Sequence, residues 1–144
     1  TLPVASIVGF ARAVELCLAE REEEGQRLKG LRDELWNALE SGLPGRVRLN
    51  GHPERRLPGN LNLSIEGIDG DRLLADLGGL AISSGSACSS ADPAPSHVLL
   101  ALGHSKALAQ ASLRFGLGRG NTQEHVTLAA QRVVAAATSQ LEGA

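Results

Sequence analysis

Asn60-Leu61-Asn62-Leu63-Ser64-Ile65 alternates polar and apolar side chains without a break. In an extended chain successive side chains point to opposite faces. Leu61, Leu63 and Ile65 therefore share one face and Asn62 and Ser64 the other, as in a half-buried strand. A second alternating run, Ser112 to Leu117, groups Leu113, Phe115 and Leu117 on one face and Ser112, Arg114 and Gly116 on the other. Half-buried strands need an apolar layer to cover them. Helical spacing elsewhere supplies it: apolar residues recur at Val4, Ile7, Val8, Ala11, Val14 and Leu18, and again at Leu28, Leu31, Leu35 and Leu39. That spacing predicts one helix, or two in series, starting after Pro3, which suits a first helical turn.

Glu20-Arg21-Glu22-Glu23-Glu24-Gly25 interrupts this pattern with charge, so a continuous helix would be solvated there and bridge two packed regions. Cys17, among Val14, Leu16 and Leu18, reads as a small core residue. Gly42, Pro44 and Gly45 end the helix, a short strand runs from Val47 to Leu49, and Asn50-Gly51 turns into a polar loop from His52 to Pro58. Gly67 to Gly70 is a turn, and Asp69 or Asp71 sets a negative charge at the start of a helix through Leu73, Leu74 and Leu77. Leu80-Ala81-Ile82 fits a short strand, and a helix from about Pro95 to Leu102 closes at Gly103. Thr122 with Glu124 or His125 opens a last helix through Val126, Ala129, Val133 and Ala137. Strands separated by helices in one short chain predict an α/β fold, or an α+β sandwich with helices on one sheet face.

The 144 residues are about one domain's worth. With 42% hydrophobic and 21% charged residues the composition is that of an ordinary globular chain, and no apolar run approaches the roughly 20 residues of a bilayer span. A net charge of −2 and three aromatics, Phe10, Trp36 and Phe115, are poor material for neutralising phosphates or stacking bases, so neither nucleic acid nor membrane is expected as a partner. Cys17 and Cys88 lie far apart with no signal peptide before them, which predicts reduced thiols in a cytoplasmic setting. The chain contains no methionine and opens on Thr1-Leu2-Pro3, from which a fragment or processed piece is expected.

Two residues stand out chemically. Ser83-Ser84-Gly85-Ser86-Ala87-Cys88-Ser89-Ser90-Ala91-Asp92-Pro93 surrounds a thiol with small residues, and such a loop is expected to be exposed and disordered. A thiol on an arm can take up a group at one centre and deliver it at another, provided it attacks as thiolate. From composition alone a connector with an incidental cysteine is the favoured reading, since nothing local to Cys88 supplies a base or a cation. Arg114 stands on the polar face of its strand with Gly116 and Gly118 leaving room beside it, a niche suited to gripping a carboxylate with two parallel hydrogen bonds. An arginine solvated on an open sheet face is the alternative. Gly116-Leu117-Gly118-Arg119-Gly120 has neither nucleotide-loop spacing nor a P-loop lysine and reads as a strand-end turn. His52, His97, His104 and His125 lack metal-ligand spacing, so no metal site is expected.

Ser83 to Ser90, Pro95-Ser96-His97-Val98-Leu99 and Ser112-Leu113-Arg114-Phe115-Gly116-Leu117-Gly118-Arg119 resemble the C-terminal part of a group I, NifS/IscS-type cysteine desulfurase, in the class V aminotransferase family. Thr1-Leu2-Pro3-Val4, Leu31-Arg32-Asp33-Glu34-Leu35-Trp36 and Asn60 to Ser64 extend the resemblance over essentially the whole chain. It implies the small C-terminal domain of a fold-type I transferase that depends on pyridoxal 5′-phosphate. Residues 1–40 would be a linking helix region and 41–144 the small domain, the large cofactor-binding domain lying outside the chain. It also implies that L-cysteine is converted to L-alanine, with Cys88 becoming the persulfide, Arg114 holding the substrate carboxylate and Thr1 reaching the cofactor phosphate of the neighbouring subunit. The full enzyme would be a cytoplasmic homodimer that passes sulfur to a scaffold or carrier protein for iron–sulfur clusters or tRNA thiolation. Lys29 and Lys106, the two lysines, lack the context of a Schiff-base lysine, so no cofactor is expected on this chain and the chain alone is expected to be inactive. A selenocysteine lyase, a stand-alone persulfide carrier or interaction module, and a structural partner of a separately encoded cofactor domain are the alternatives.

Overall fold

The computed structural model describes residues 1–84 and 94–143. A 39-residue helix, α1 (Val4–Gly42), leads into β1 (Val47–Leu49) and β2 (Asn60–Ile65). Then come α2 (Gly70–Asp76), α3 (His97–Ala101), α4 (Lys106–Gln110), β3 (Ser112–Gly116) and α5 (Gln123–Glu142). The strands form one antiparallel sheet in the order β1-β2-β3, with Leu49 opposite Leu63 and Leu63 opposite Leu113. All-antiparallel pairing decides between the two architectures in favour of a two-layer α+β fold, since parallel strands would each need a crossover.

The apolar faces of β2 and β3 (Leu61, Leu63, Ile65, Leu113 and Phe115) are buried against Leu31, Leu35 and Leu39 of α1 and Val126, Ala130, Val133 and Ala137 of α5. Leu73 of α2 and Leu77, the residue just after it, complete this core. Asp69 caps α2 by accepting hydrogen bonds from the backbone N–H groups of Asp71 and Arg72, and Gln140 of α5 accepts from the Asp69 N–H. A Cβ on Gly70 would collide with the carbonyl oxygen of Gln110, so glycine is what lets the start of α2 lie against the end of α4. Thr122 and His125 form a capping box at the start of α5.

The structure departs from the sequence reading at five places. The two apolar stretches of the first helix are one helix, but only its second half is buried: Leu2, Val4, Ile7, Val8, Phe10, Val14 and Leu18 are exposed. Cys17 is accordingly exposed rather than in the core, because the sheet reaches only as far as the second half of α1. Leu80 to Ile82 form no strand; a single bridge, Ser83 to Arg114, follows instead. Ser64, on the polar face of β2, is fully buried. Helix α4 was also not evident, its five residues being too few to establish a period.

Among the described residues no helix is long and apolar enough to cross a membrane.

Candidate functional site

Arg114 sits in the middle of β3 with its side chain exposed on the polar face of the sheet. Its cross-strand partner in β2 is Asn62. The backbone N–H of Asn50 donates to the Asn62 carbonyl at 2.9 Å, which extends the β1 to β2 pairing by one residue beyond Leu49. On the other side of β3, Arg114 N–H donates to the Ser83 carbonyl at 2.6 Å and Ser83 N–H donates back at 3.4 Å. Asn50, Asn62, Arg114 and Ser83 therefore form one row across the sheet. Directly opposed side chains in such a row have Cβ atoms roughly 4.5–5.5 Å apart.

The row is polar and its one charge is positive. The Arg114 guanidinium makes no hydrogen bond or ion pair among the described residues. The acid on the same face of β2's extension, Glu66, is engaged by Arg48 at 2.7 Å. Asn50 is 5% exposed, and its side-chain N–H groups donate to Asn62 Oδ1 at 2.7 Å and Ser64 Oγ at 2.9 Å. That explains why Ser64 tolerates burial: its hydroxyl has a partner. Asn50 is held from behind by Arg56, whose guanidinium donates to the Asn50 carbonyl at 2.7 Å and the His52 carbonyl at 2.8 Å. Burial pushes the Arg56 guanidinium pKa down, as does the charge of Arg32, while Asp33 opposes them.

The far end of β3 is fixed to the long helix. Leu117 N–H donates to the Gly59 carbonyl at 2.7 Å, and Asn121 Oδ1 accepts from Gly118 N–H at 2.7 Å, forming the strand-end turn expected after Gly116. Arg27 of α1 grips Glu24 with two hydrogen bonds of 2.8 Å and donates to the carbonyls of Asn121 at 2.8 Å and Gly118 at 3.2 Å. Arg119 pairs with Glu20. The charged interruption in α1 is thus the attachment point of the turn that follows β3.

Of the sequence-predicted site residues, the structure places Arg114 beside the start of the small-residue segment. Cys88 and the expected disorder around it lie outside the described residues. The segment's entry is fixed: Ser83 pairs with Arg114, and Ser112 Oγ donates to the Ser84 carbonyl at 2.7 Å. Thr1 is exposed, three residues before α1, and the 17 helical residues from Val4 to Glu20 put it about 25 Å or more along the helix from the Glu20–Arg119 pair. It does not join the row. Asn50, Asn62 and Ser83 were not singled out from the sequence. The alternation of Asn60 to Ile65 identified the face of Asn62, but which residues flank it follows only from the strand order.

Neither lysine stands in the row. Lys29 binds Asp33 on α1 at 2.7 Å, on the other layer, and Lys106 is exposed in the first turn of α4. The residues of this chain therefore do not fit a Schiff-base site for pyridoxal phosphate. Among the described residues no three His, Cys, Asp or Glu side chains are grouped to hold a metal. His52 instead accepts backbone hydrogen bonds from Glu54 and Arg55 through Nδ1, each at 3.0 Å, and His125 caps α5.

Residues 1–128 match the model of the aminotransferase class-V family. A cysteine desulfurase IscS of Anaeromyxobacter sp. (strain K) is 46% identical over 129 residues, 90% of this chain and 32% of the relative. The IscS of Klebsiella pneumoniae (strain 342) is 47% identical over 126 residues, 88% of this chain and 31% of the relative. Among solved structures, a NifS-like protein superimposes with a TM-score of 0.79 at 28% identity, over 96% of this chain and 35% of that one. A NifS-like protein from Rickettsia africae gives 0.75 at 25% identity, over 99% of this chain and 36% of that one. The chain spans about a third of the length of the relatives it matches.

Proposed function

Because this chain belongs to the aminotransferase class-V family, we propose that it is the small C-terminal domain, residues 41–144, with the linking helix region, residues 1–40, of a cysteine desulfurase. The large domain would supply the pyridoxal phosphate and its lysine. When bound, that cofactor is the electron sink that makes the carbon–sulfur bond of a cysteine cleavable. The present chain contributes a place for the substrate and a destination for its sulfur.

Arg114 holds the α-carboxylate. Its planar fork can donate two parallel hydrogen bonds, and the positive row around it has no competing acid. Cys88 takes the sulfur as thiolate: a sulfur–sulfur bond forms, the substrate's carbon–sulfur bond breaks, and L-cysteine with a cysteine thiol becomes L-alanine with a persulfide. The single observation that carries this reading is the Ser83–Arg114 bridge, which joins the segment leading to Cys88 directly to the strand that bears the carboxylate clamp. Thr1, at the far end of α1, is assigned to the cofactor phosphate of a neighbouring subunit in a cytoplasmic homodimer, and a scaffold or carrier protein receives the sulfur.

Mass spectrometry of the full-length holoenzyme tests this. After exposure to L-cysteine the peptide containing Cys88 should carry one added sulfur, and Cys88→Ala should gain none and form no persulfide. Arg114→Ala should raise KM for L-cysteine by about tenfold or more, since a charge-assisted double hydrogen bond is lost. Sulfur transfer that persists in Cys88→Ala, or a KM unmoved by Arg114→Ala, overturns the corresponding role.

A further inference from the structure

We propose that the side-chain amide of Asn62 is a second hydrogen-bond donor to the amino-acid carboxylate held at Arg114, and that buried Asn50 aims it there. The proposal rests on the reading of Arg114 given above. An asparagine amide can turn either its oxygen or its nitrogen toward a given neighbour. Here the choice is made by Asn50, which donates one N–H to Asn62 Oδ1 at 2.7 Å and the other to Ser64 Oγ at 2.9 Å.

Asn50 is 95% removed from solvent, and its backbone is tied on both sides, by its own N–H to the Asn62 carbonyl and by its carbonyl to Arg56. In this position its amide nitrogen serves both Asn62 and Ser64, while its Oδ1 is buried without a partner. With its oxygen drawn toward Asn50 on the β1 side, Asn62 presents its Nδ2 to the opposite side, where its neighbour in the row is Arg114. Asn62 Nδ2 has no hydrogen-bond acceptor among the described residues, and Asn62 is only half-buried, so the amide is open to a ligand.

The chemistry fits a carboxylate. An ionised carboxylate has about four lone-pair sites, of which a bidentate guanidinium fills two. A neutral amide N–H can take a third without a second positive charge beside Arg114. Glu66, the nearest acid along the same face of the strand, is bound to Arg48. Asn50 is a positioning residue in this arrangement, and Asn62 touches the substrate.

The test uses the full-length holoenzyme, with calorimetric binding of L-alanine, the proposed product, and of L-alaninamide, which has no carboxylate. Asn62→Ala should weaken L-alanine binding and raise KM for L-cysteine by about 5- to 10-fold, with kcat within about twofold. Asn62→Asp should weaken binding further, because its carboxylate repels that of the ligand. Asn62→Ser, which keeps a donor in a smaller side chain, should fall between Asn62→Ala and the parent. L-Alaninamide binding should be unchanged throughout. The double variant Asn50→Ala/Asn62→Ala should bind L-alanine no worse than Asn62→Ala alone. Should Arg114→Ala weaken L-alanine binding while the Asn62 variants do not, the role of Asn62 is overturned and that of Arg114 stands. Should Arg114→Ala leave binding unchanged, the clamp itself is overturned. Equal losses for L-alanine and L-alaninamide also overturn the proposal, since they mark a distorted face instead of a lost carboxylate contact.

Discussion

Asp33 illustrates how a single side chain on α1 combines opposing effects. Its burial favours the neutral acid, but hydrogen bonds from Lys29 and Arg32, and their charges, outweigh burial and hold the carboxyl below its usual range. A depressed folded-state value stabilises the protein above the unfolded carboxyl value of about 4, and that contribution is lost as pH falls through the folded value. Stability should therefore fall as the pH drops below about 4 in the parent, and Asp33→Asn should flatten part of that fall. Denaturant midpoints measured across this range check it. The effect is modest, because the carboxylate is 42% exposed. At this scale the sequence was most legible where a residue's environment is dictated by its strand neighbours: Leu61, Leu63 and Ile65 are all buried as the alternation requires. It was least legible at Ser64 and Cys17. Ser64 is buried because a side chain 14 residues away, Asn50, satisfies its hydroxyl. Cys17 is exposed because the sheet does not extend beneath it, and nothing local to either residue reveals that.

Elements differ in the same way. Helix α5 announced itself through Thr122 and the spacing of Val126, Val133 and Ala137, and its start coincides with the expected cap. Thr122→Ala should cost about 1 kcal/mol of stability by removing an acceptor for the His125 N–H, a loss that thermal or denaturant unfolding resolves. Strand β3 was legible as far as Gly116, one residue short of the expected end, because Leu117 leaves the ladder to bond Gly59. The turn after it read correctly as a turn, but its attachment did not: Arg27 reaches across 94 residues of sequence to the Asn121 carbonyl. Such a contact carries no local signal. The row through Arg114 belongs with this class, since Asn50, Asn62 and Ser83 come together only once strands and bridge are in place.

Over the whole molecule, the long helix has two halves with the same apolar period and opposite fates. Leu31, Leu35 and Leu39 meet the sheet, whereas Val8 and Val14 are 62% and 41% exposed. Periodicity reports that a face is apolar and says nothing of what lies against it. Val8→Lys and Val14→Lys should consequently change the unfolding free energy of this domain by no more than about 0.5 kcal/mol each, as denaturant unfolding measures it. The tie at Ser83 and Ser84 has a different reach. Cys88 is only four residues on from Ser84, and a chain of four Cα-to-Cα steps spans at most about 14 Å whatever path it takes. A thiol leashed within that radius of the strand edge is present at a local concentration on the order of 0.1 M. On the function proposed for Cys88 and Arg114, the encounter between substrate sulfur and thiol would then be a search within one molecule.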